Sequence, residues 1–300
     1  MTLCRVVCCL WVGILVMPSV IGADITVVGS STVGDVLARV AQGWRAQGNT
    51  TMVAITGSGS NAALPALAEG TAQLAPLSRA ITAADRSAFT AKRGHPPVEL
   101  VIGYDALAVF VHRDNPLATI TLAQLDGIFG AERRRGHEPI RIWGNVGLSQ
   151  EWATRPLVII GSTPFGGGHA MLKELVLDGG PFTAALTQEP VASSIVQGIG
   201  TNPAAIGCTS AALLTRRTRI VPIGATSEQA ILPTAESCRA GSYPLTRPLI
   251  VCIDPLTLSP EARAFLRYAL SPDGQEIVAA CGCFAISAAA AKTATAHVEP

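Results

Sequence analysis

The chain has 300 residues, nearly half of them hydrophobic, and a formal net charge of +1 at pH 7. This length is enough for two lobes of ordinary domain size, each with its own core. The near-neutral charge argues against nucleic acid as a partner, because such proteins usually carry a clustered basic face. The one basic run, 133–135, has glutamates nearby and is most simply a solvated loop.

The first residues predict a secretory signal. Arg5 precedes an apolar stretch over 6–16, and small residues lead to Ala23. One basic residue, a short apolar core and a small residue before the cleavage point are typical of a signal peptide, and the stretch is short for a membrane span. We therefore expect residues 1–23 to be removed and the mature protein to be periplasmic or secreted. An uncleaved N-terminal anchor is the alternative.

Apolar runs with strand character alternate with segments of helical periodicity through the rest of the chain. The predicted strands lie at 24–28, 52–55, 74–77, 98–103, 106–112, 140–143, 157–160, 205–208 and 249–253. The predicted helices lie at 33–44, 61–69, 122–129, 170–177, 191–198, 259–270 and 272–280. This alternation predicts an α/β fold with a mostly parallel sheet in each lobe, flanked by helices. The Ala-rich tail after Ile286 is expected to fray.

Three strand-to-helix connections are short runs rich in Gly, Ser and Thr, at 29–33, 56–61 and 161–168. A helix start has unpartnered backbone N–H groups and a partial positive charge, and Ser or Thr at the cap adds hydroxyl donors. Such a start is suited to binding an anion. Ligands of α/β sheets lie at the carboxyl ends of strands, where all three runs fall. The alternative is that they are ordinary capped turns.

Five cysteines follow the signal. They are Cys208, Cys238, Cys252, Cys281 and Cys283. In an exported protein an odd number allows at most two disulfides and leaves one thiol free, and the sequence leaves the pairing open. No second Cys or His pair at ligand spacing accompanies Cys281 and Cys283, so we expect no metal site.

The order and spacing of several motifs resemble the periplasmic phosphate-binding proteins of ABC transporters, in the type II solute-binding superfamily. The motifs lie at 25–32, 57–60, 69–72, 77–79, 105–109, 115–116, 122–129, 202–207, 243–249 and 270–275. The resemblance covers nearly the whole mature chain. It implies a two-lobed fold that holds its ligand in the cleft between the lobes.

The family fold implies that both chain ends build lobe I and the middle of the chain builds lobe II. Lobe I is then expected at 24–110 plus 250–300, and lobe II at 111–249. The two crossovers form a hinge near 105–112 and 246–252. Asp105 falls in that hinge, and the resemblance implies that it is structural.

The resemblance also implies which lobe I residues would meet phosphate. They are Thr32, Val33 through its backbone, Ser60, Asn61, Ser78 and Arg79. Hydroxyls, helix-start N–H groups and one guanidinium suit a tetrahedral oxyanion. In some members an Asp near the position of Ser78 accepts the proton of hydrogen phosphate and so discriminates against sulfate. Here Ser78 cannot do so, although other members also carry Ser at this position.

The lobe II loop departs from the family pattern, which is usually Gly-Ser-Gly-Thr, often with an Arg four residues before the Ser. Alignment puts three glycines at the last three positions and Ser162 at that of the Arg. Two hydroxyls and a cation are missing, and each charge-assisted hydrogen bond is worth about 1.5–3 kcal/mol. The candidate contacts in this lobe are Ser162, Gly166, Gly167, Gly168 and His169. The alternative is that this half no longer binds phosphate.

No catalytic constellation stands out. The run 161–168 lacks the Gly-Lys-Ser/Thr ending of a nucleotide P-loop, no Gly-x-Ser-x-Gly elbow has a suitable acid and base, and the histidines are scattered. We expect a binding protein rather than an enzyme, without cofactor or metal and monomeric, that captures inorganic phosphate or a similar oxyanion for ABC-type uptake, with an ABC permease as its candidate partner. The alternatives are another small ligand in the same fold, or a degenerate sensory or scaffold protein.

Overall fold

A computed structural model describes residues 24–164 and 167–299. The strands are β1 (Ile25–Val28), β2 (Val53–Thr56), β3 (Ala75–Leu77), β4 (Val98–His112), β5 (Ile120–Thr121), β6 (Val158–Ser162), β7 (Leu186–Glu189), β8 (Ala205–Ser210), β9 (Thr218–Val221), β10 (Ile223–Gly224) and β11 (Thr246–Ile253). The helices are α1 (Ser31–Ala46), α2 (Ser60–Glu69), α3 (Ala83–Arg93), α4 (Leu122–Phe129), α5 (Gly167–Leu175), α6 (Ala192–Thr201), α7 (Ala235–Arg239), α8 (Pro260–Leu270), α9 (Pro272–Ala280) and α10 (Ala288–Ala296). Within this part of the chain, no helix has both the length and the apolar character needed to cross a membrane.

The α/β fold class is confirmed, with a sheet that is mixed rather than mostly parallel. The long sheet runs β3-β11-β4-β8-β6-β7, and β9 also pairs with β4. The pairs β6-β7, β6-β8 and β1-β2 are parallel, as the alternation predicts. The pairs of β4 with β8, β9 and β11, and of β11 with β3, are antiparallel. The difference arises because β4 and β11 run along each other instead of being joined to their neighbours by helical crossovers.

Two large hydrophobic cores meet at the middle of β4 and at the first residues of β11. The first core cluster takes its buried residues from 25–102 and 249–298, and the second from 106–245. The chain therefore passes between the two cores twice, on β4 just before Ala106 and on β11 just after Leu245. Asp105 and Arg247 lie in these two short crossings.

Helix α1 illustrates how the sequence builds the first core. Its apolar residues recur at helical spacing, and all of Val33, Leu37, Val40 and Trp44 are buried. Trp44 packs against Phe265 of α8 with the ring centroids 5.3 Å apart. Ser30 caps the helix, its Oγ accepting a hydrogen bond from the N–H of Val33 at 3.4 Å. The polar start of α1 is thereby held at the end of β1 while its apolar face anchors it.

Three of the predicted elements differ in the structure, and α3, β5, β7, β9, β10 and α7 were not predicted from the sequence. The strands expected at 98–103 and 106–112 are one strand of 15 residues, β4. The strand expected at 140–143 is instead a bridge at Ile142 followed by a 3-10 turn, because the Asn145 side chain accepts from the backbone N–H of Arg141 and Ile142 and turns the chain. The tail expected to fray forms α10, which Ser287 caps and which is followed by the fully buried Val298.

All five cysteines after residue 23 are free thiols. Cys208, Cys238 and Cys252 are buried, and desolvation raises the pKa of each; for Cys252 it rises to about 12. They act as small hydrophobic residues in the core. No cluster of three or more potential metal ligands occurs in the part of the chain that the structure describes.

Candidate functional site

The ends of β1, β2 and β3 are tied together by backbone hydrogen bonds. The N–H of Gly29 donates to the carbonyl of Thr56, and the N–H of Ser30 donates to that of Pro76. The carbonyl of Gly29 in turn accepts from the N–H of Gly59 at 2.8 Å. The first two Gly/Ser loops of the sequence therefore lie side by side at the carboxyl ends of their strands, as the α/β pattern predicts.

Ser60 and Ser78 form the second part of this arrangement. Ser60 is the first residue of α2, and its Oγ accepts a hydrogen bond from the backbone N–H of Ser78 at 3.2 Å. The two hydroxyl oxygens are 3.4 Å apart. Both residues are half-buried, so each hydroxyl is fixed in position and still has hydrogen-bonding capacity for a ligand.

A cavity of about 330 Å³ opens in front of these hydroxyls. Its lining residues are Ser30, Ser31, Thr32, Asp35, Gly59, Ser60, Ser78, Pro164, Ala170 and Arg247. The structure thus brings together three of the residues expected from the sequence, Thr32, Ser60 and Ser78. They meet Pro164 of the lobe II loop and Ala170 of α5 across the same space. Hydroxyls and helix-start N–H groups on one side of a cleft can bind a small anion.

A larger cavity of about 660 Å³ adjoins the first one and shares Thr32 and Asp35 with it. It is also lined by Arg39, Asp105 and Ser210, among others. Ser210 ends β8, which belongs to the second core, while Thr32 belongs to α1 of the first. The two cavities together form a cleft between elements of the two cores.

Arg79 and Asn61 lie at the edge of this site rather than on the cavity wall. Arg79 Nη1 donates to Asp85 Oδ2 at 2.7 Å, and its Nη2 donates to Asn61 Oδ1 at 3.0 Å. The guanidinium therefore joins the start of α2 to that of α3. Direct contacts of Arg79 and Asn61 with an anion stay a prediction.

The Arg79 ion pair has a consequence for stability. Hydrogen bonds from Arg79 and from the backbone N–H of Thr82 lower the pKa of Asp85 from 3.8 to about 2. Because the folded-state pKa lies below the unfolded one, this contribution is complete above the unfolded pKa and is lost as the pH falls toward 2.

We expect Asp85→Asn to lower the urea midpoint of unfolding at about pH 6, and the difference from wild type to shrink as the pH approaches 2. Urea titrations of both proteins at about pH 6, 4 and 2.5 measure this difference. A difference that stays constant over the range would contradict the assigned pKa. The matched control is Asp114→Asn, because Asp114 is a strongly exposed carboxylate outside this site.

The backbone N–H of Val33, predicted to meet phosphate, is already bonded to the Oγ of Ser30 at 3.4 Å. Its side chain is fully buried in the first core. Val33 therefore anchors the start of α1. If its N–H also donated to a ligand, that N–H would be shared between the ligand and the Ser30 Oγ. That contact stays a prediction.

The lobe II loop is described except for Phe165 and Gly166, so the expectation for Gly166 lies outside the described residues. Ser162 ends β6, and its carbonyl is 3.1 Å from Nδ1 of His169. The His169 ring also packs on Phe182, with the centroids 4.1 Å apart. These contacts hold His169 against its own lobe. Ser162 and His169 are not among the residues lining the cavity with Thr32 and Ser60.

Gly167 and Gly168 are the first two residues of α5. A Cβ built on Gly168 would lie 3.4 Å from both the Ser162 Oγ and a Leu107 side-chain carbon, which is ordinary contact. Glycine is therefore not required there by space. The two residues still present the start of a helix toward the second side of the cleft, through Ala170 on its first turn.

Two charged residues on the cavity were not expected from the sequence, Asp35 and Arg247. Asp35 lies one helical turn after Thr32, so the helical periodicity of α1 was a signal that could have found it. Arg247 lies on β11, far along the chain from the Gly/Ser loops, and only the sheet pairing brings it there. The motif over 243–249 contains it, but the resemblance gave it no role at the site.

Comparison with known proteins places this chain in a family. Residues 20–273 match the PBP superfamily domain. The phosphate-binding protein PstS of Pseudomonas aeruginosa is 31% identical over 279 residues, which is 91% of this chain and 86% of that protein.

Solved structures share the fold. A possible phosphate binding protein from Planctomyces limnophilus has a TM-score of 0.76 at 22% identity, covering 91% of this chain and 96% of that one. A putative phosphate ABC transporter substrate-binding protein with bound phosphate from Clostridium perfringens has a TM-score of 0.60 at 22% identity, covering 88% and 99%. The two-lobed α/β fold is therefore confirmed. The chain belongs to the PBP superfamily, in the same family as the phosphate-binding protein PstS.

Proposed function

We propose that this protein captures inorganic phosphate in the cleft between two lobes and delivers it to an ABC-type uptake system. The observation that carries the proposal is the cavity where the hydroxyls of Thr32, Ser60 and Ser78 face Pro164 and Ala170 of the opposite side. Relatives over most of the chain are named phosphate-binding proteins, which supports phosphate as the anion. Signal removal, export to the periplasm, a permease partner and a monomeric state belong to the same proposal.

We propose lobe boundaries at 24–110 plus 250–300 and at 111–249. The composition of the two main core clusters supports this division, because their members separate near residues 102–106 and 245–249. Closure would rotate one core toward the other about β4 and β11. The hydroxyls and the starts of α1 and α2 would then hold the anion from one side, and the start of α5 from the other. Water would be excluded, which strengthens each charge-assisted hydrogen bond.

The proposal is tested by calorimetric titration of the purified mature protein with phosphate, sulfate and other oxyanions. Saturable heat with phosphate at one site per chain is expected. Saturable heat only with a different oxyanion would assign another ligand to the same fold. No heat with any of them would overturn the transport function. It would favour a scaffold or sensory role, in which the glycines of the lobe II loop no longer bind an anion.

Asp35 bears on the choice between phosphate and sulfate. Its carboxylate lines the cavity, where it can accept the proton that hydrogen phosphate carries and sulfate lacks at neutral pH. The same carboxylate repels sulfate, which has no proton to share. Ser78 offers no such charge, so we assign this discrimination to Asp35 within the proposed function.

We expect Asp35→Asn to narrow the preference for phosphate over sulfate by about fivefold or more, because about 1 kcal/mol of repulsion corresponds to roughly that factor. Titration of both proteins with the two anions at about pH 7 measures the ratio of dissociation constants. Glu69→Gln is the matched control, since this exposed carboxylate lies at the far end of α2. An unchanged ratio in Asp35→Asn would remove Asp35 from the selectivity mechanism.

A further inference from the structure

Arg247 is the one cationic side chain that lines the cavity within residues 24–164 and 167–299. The other polar members of the wall are hydroxyls and the Asp35 carboxylate. A cleft that dehydrates a divalent anion needs compensating positive charge, because burying an unpaired charge is costly. The helix starts supply part of that charge, and Arg247 is placed to add positively charged N–H donors at this cavity, whereas Arg39 lines only the adjoining one.

The position of Arg247 is fixed by its pairing with Asp105. The two residues are opposite each other in the β11-β4 register. Arg247 Nε and Nη2 donate to Asp105 Oδ2 at 3.0 and 2.8 Å. The side chains are only 13% and 17% exposed, respectively. Both are therefore held in one geometry, which lowers the entropy lost when a ligand binds to the guanidinium.

The pairing leaves part of the guanidinium free. A guanidinium has five N–H donors, and Asp105 takes one on Nε and one on Nη2. Nη1 donates no hydrogen bond to the part of the chain that the structure describes. Two N–H groups on Nη1 and one on Nη2 thus remain for a ligand, and they lie on the planar edge that suits a phosphate oxygen pair.

The location in the fold gives this residue access to both sides of the cleft. Arg247 lies on one of the two crossings between the cores, just after Leu245 of the second core and before Leu249 of the first. The cavity it lines includes Thr32 and Ser60 on one side and Ala170 on the other. A cation at this crossing therefore lies beside elements of both sides of the cavity.

We propose that Arg247 is a phosphate-binding residue, which supplies from the hinge the positive charge that the Ser162 position of the lobe II loop lacks. This inference rests on the proposed function and adds a residue to it. Asp105 acts as the positioning residue that orients the guanidinium. The ion pair also links ligand binding to the hinge. The guanidinium that would contact the anion is bonded to Asp105 on β4, one of the two strands about which the lobes would close.

The test separates ligand binding from a purely structural ion pair. Arg247→Gln, Arg247→Lys and Asp105→Asn are compared with wild type by calorimetric titration with phosphate, alongside thermal unfolding. We expect Arg247→Gln to weaken phosphate binding tenfold to a hundredfold, as loss of a charge-assisted contact does. Arg247→Lys keeps the charge but loses the planar guanidinium that can donate two parallel hydrogen bonds. We therefore expect a smaller loss of phosphate affinity, about threefold to tenfold.

Asp105→Asn is the deciding variant, because it weakens the ion pair and retains the cation. We expect its phosphate affinity to fall by less than that of Arg247→Gln, because the cation stays and only its orientation is lost, while its unfolding temperature falls as far as that of Arg247→Gln. Equal losses of affinity in Asp105→Asn and in the Arg247 variants would reduce Arg247 to a structural role. Wild-type affinity in Arg247→Gln would overturn the inference and leave phosphate binding intact. Absence of phosphate binding in wild type would overturn both proposals. If Arg247→Gln fails to fold, the phosphate affinity and unfolding temperature of Arg247→Lys are compared with those of Asp105→Asn in its place.

Discussion

The double variant Thr32→Val/Ser60→Ala is expected to weaken phosphate binding by about a hundredfold to ten-thousandfold. Each hydroxyl lines the cavity, and each charge-assisted hydrogen bond to a dianion is worth about 1.5–3 kcal/mol. Valine keeps the β-branched shape of the half-buried Thr32 and removes its hydroxyl. Calorimetric titration of the variant with phosphate measures the loss. Affinity close to that of wild type would mean that the anion binds elsewhere in the cleft.

Ser60 also has a structural partner, and the two effects must be separated. Its Oγ accepts from the N–H of Ser78, so Ser60→Ala leaves that donor unsatisfied at a cost of about 1–3 kcal/mol of stability. Thr32 makes no side-chain hydrogen bond to another described residue, so Thr32→Val alone reports on the ligand. Thr50→Val/Ser58→Ala is the matched control, because both side chains are exposed and lie off the cavity wall.

The lobe I half of the site could be predicted from local pattern. Thr32, Ser60 and Ser78 each follow a short strand closely, and the three strands run parallel, through the β1-β2 pair and the Val27–Leu74 bridge. Parallel strands place their carboxyl ends at one edge, so residues that follow them converge. The two Gly/Ser loops therefore carried enough information to place Thr32 and Ser60 together, whereas Ser78 was named by the resemblance.

Of the charged residues on the cavity, Arg247 could not be placed there in this way. It reaches the cavity through antiparallel pairing of β11 with β4, a long-range arrangement, and the resemblance over 243–249 gave it no role at the site. The resemblance implies that Arg79 meets the anion, and that contact stays a prediction. The structure pairs Arg79 with Asp85, and the capping box from Thr82 to Asp85 was the local sign that a carboxylate would be fixed beside it.

The glycines of the two loop types differ in what the fold demands of them. At the lobe II loop, Gly168 has room for a side chain, so its lack of a hydroxyl is a change in the donor set rather than a steric need. At the lobe I loop, Gly29 has no such room. The difference allows the contribution of backbone geometry to the site to be measured separately from that of the donors.

Gly29→Ala is expected to destabilise the protein by about 2–6 kcal/mol and to abolish phosphate binding where it folds. Gly29 has a φ of 155°, and a Cβ there would lie 2.3 Å from the Pro76 carbonyl oxygen and 2.9 Å from the Cβ of Ala63. Backbone strain of roughly 1–3 kcal/mol adds to overpacking of about 1–3 kcal/mol. The obstructing atoms belong to β3 and α2, so relief would separate Ser30 and Ser60 from Ser78.

Gly70→Ala separates backbone strain from overpacking. Gly70 also has a positive φ, 74°, but nothing lies within 4 Å of a Cβ built there. Its replacement is expected to cost only about 1–2 kcal/mol, the ordinary price of a left-handed alanine. Urea unfolding of both variants measures the difference, and phosphate titration of Gly70→Ala should match wild type. If Gly29→Ala lost no more stability than Gly70→Ala, the Gly29 loop would be able to move away from β3, and the fixed geometry assigned to the lobe I hydroxyls would be wrong.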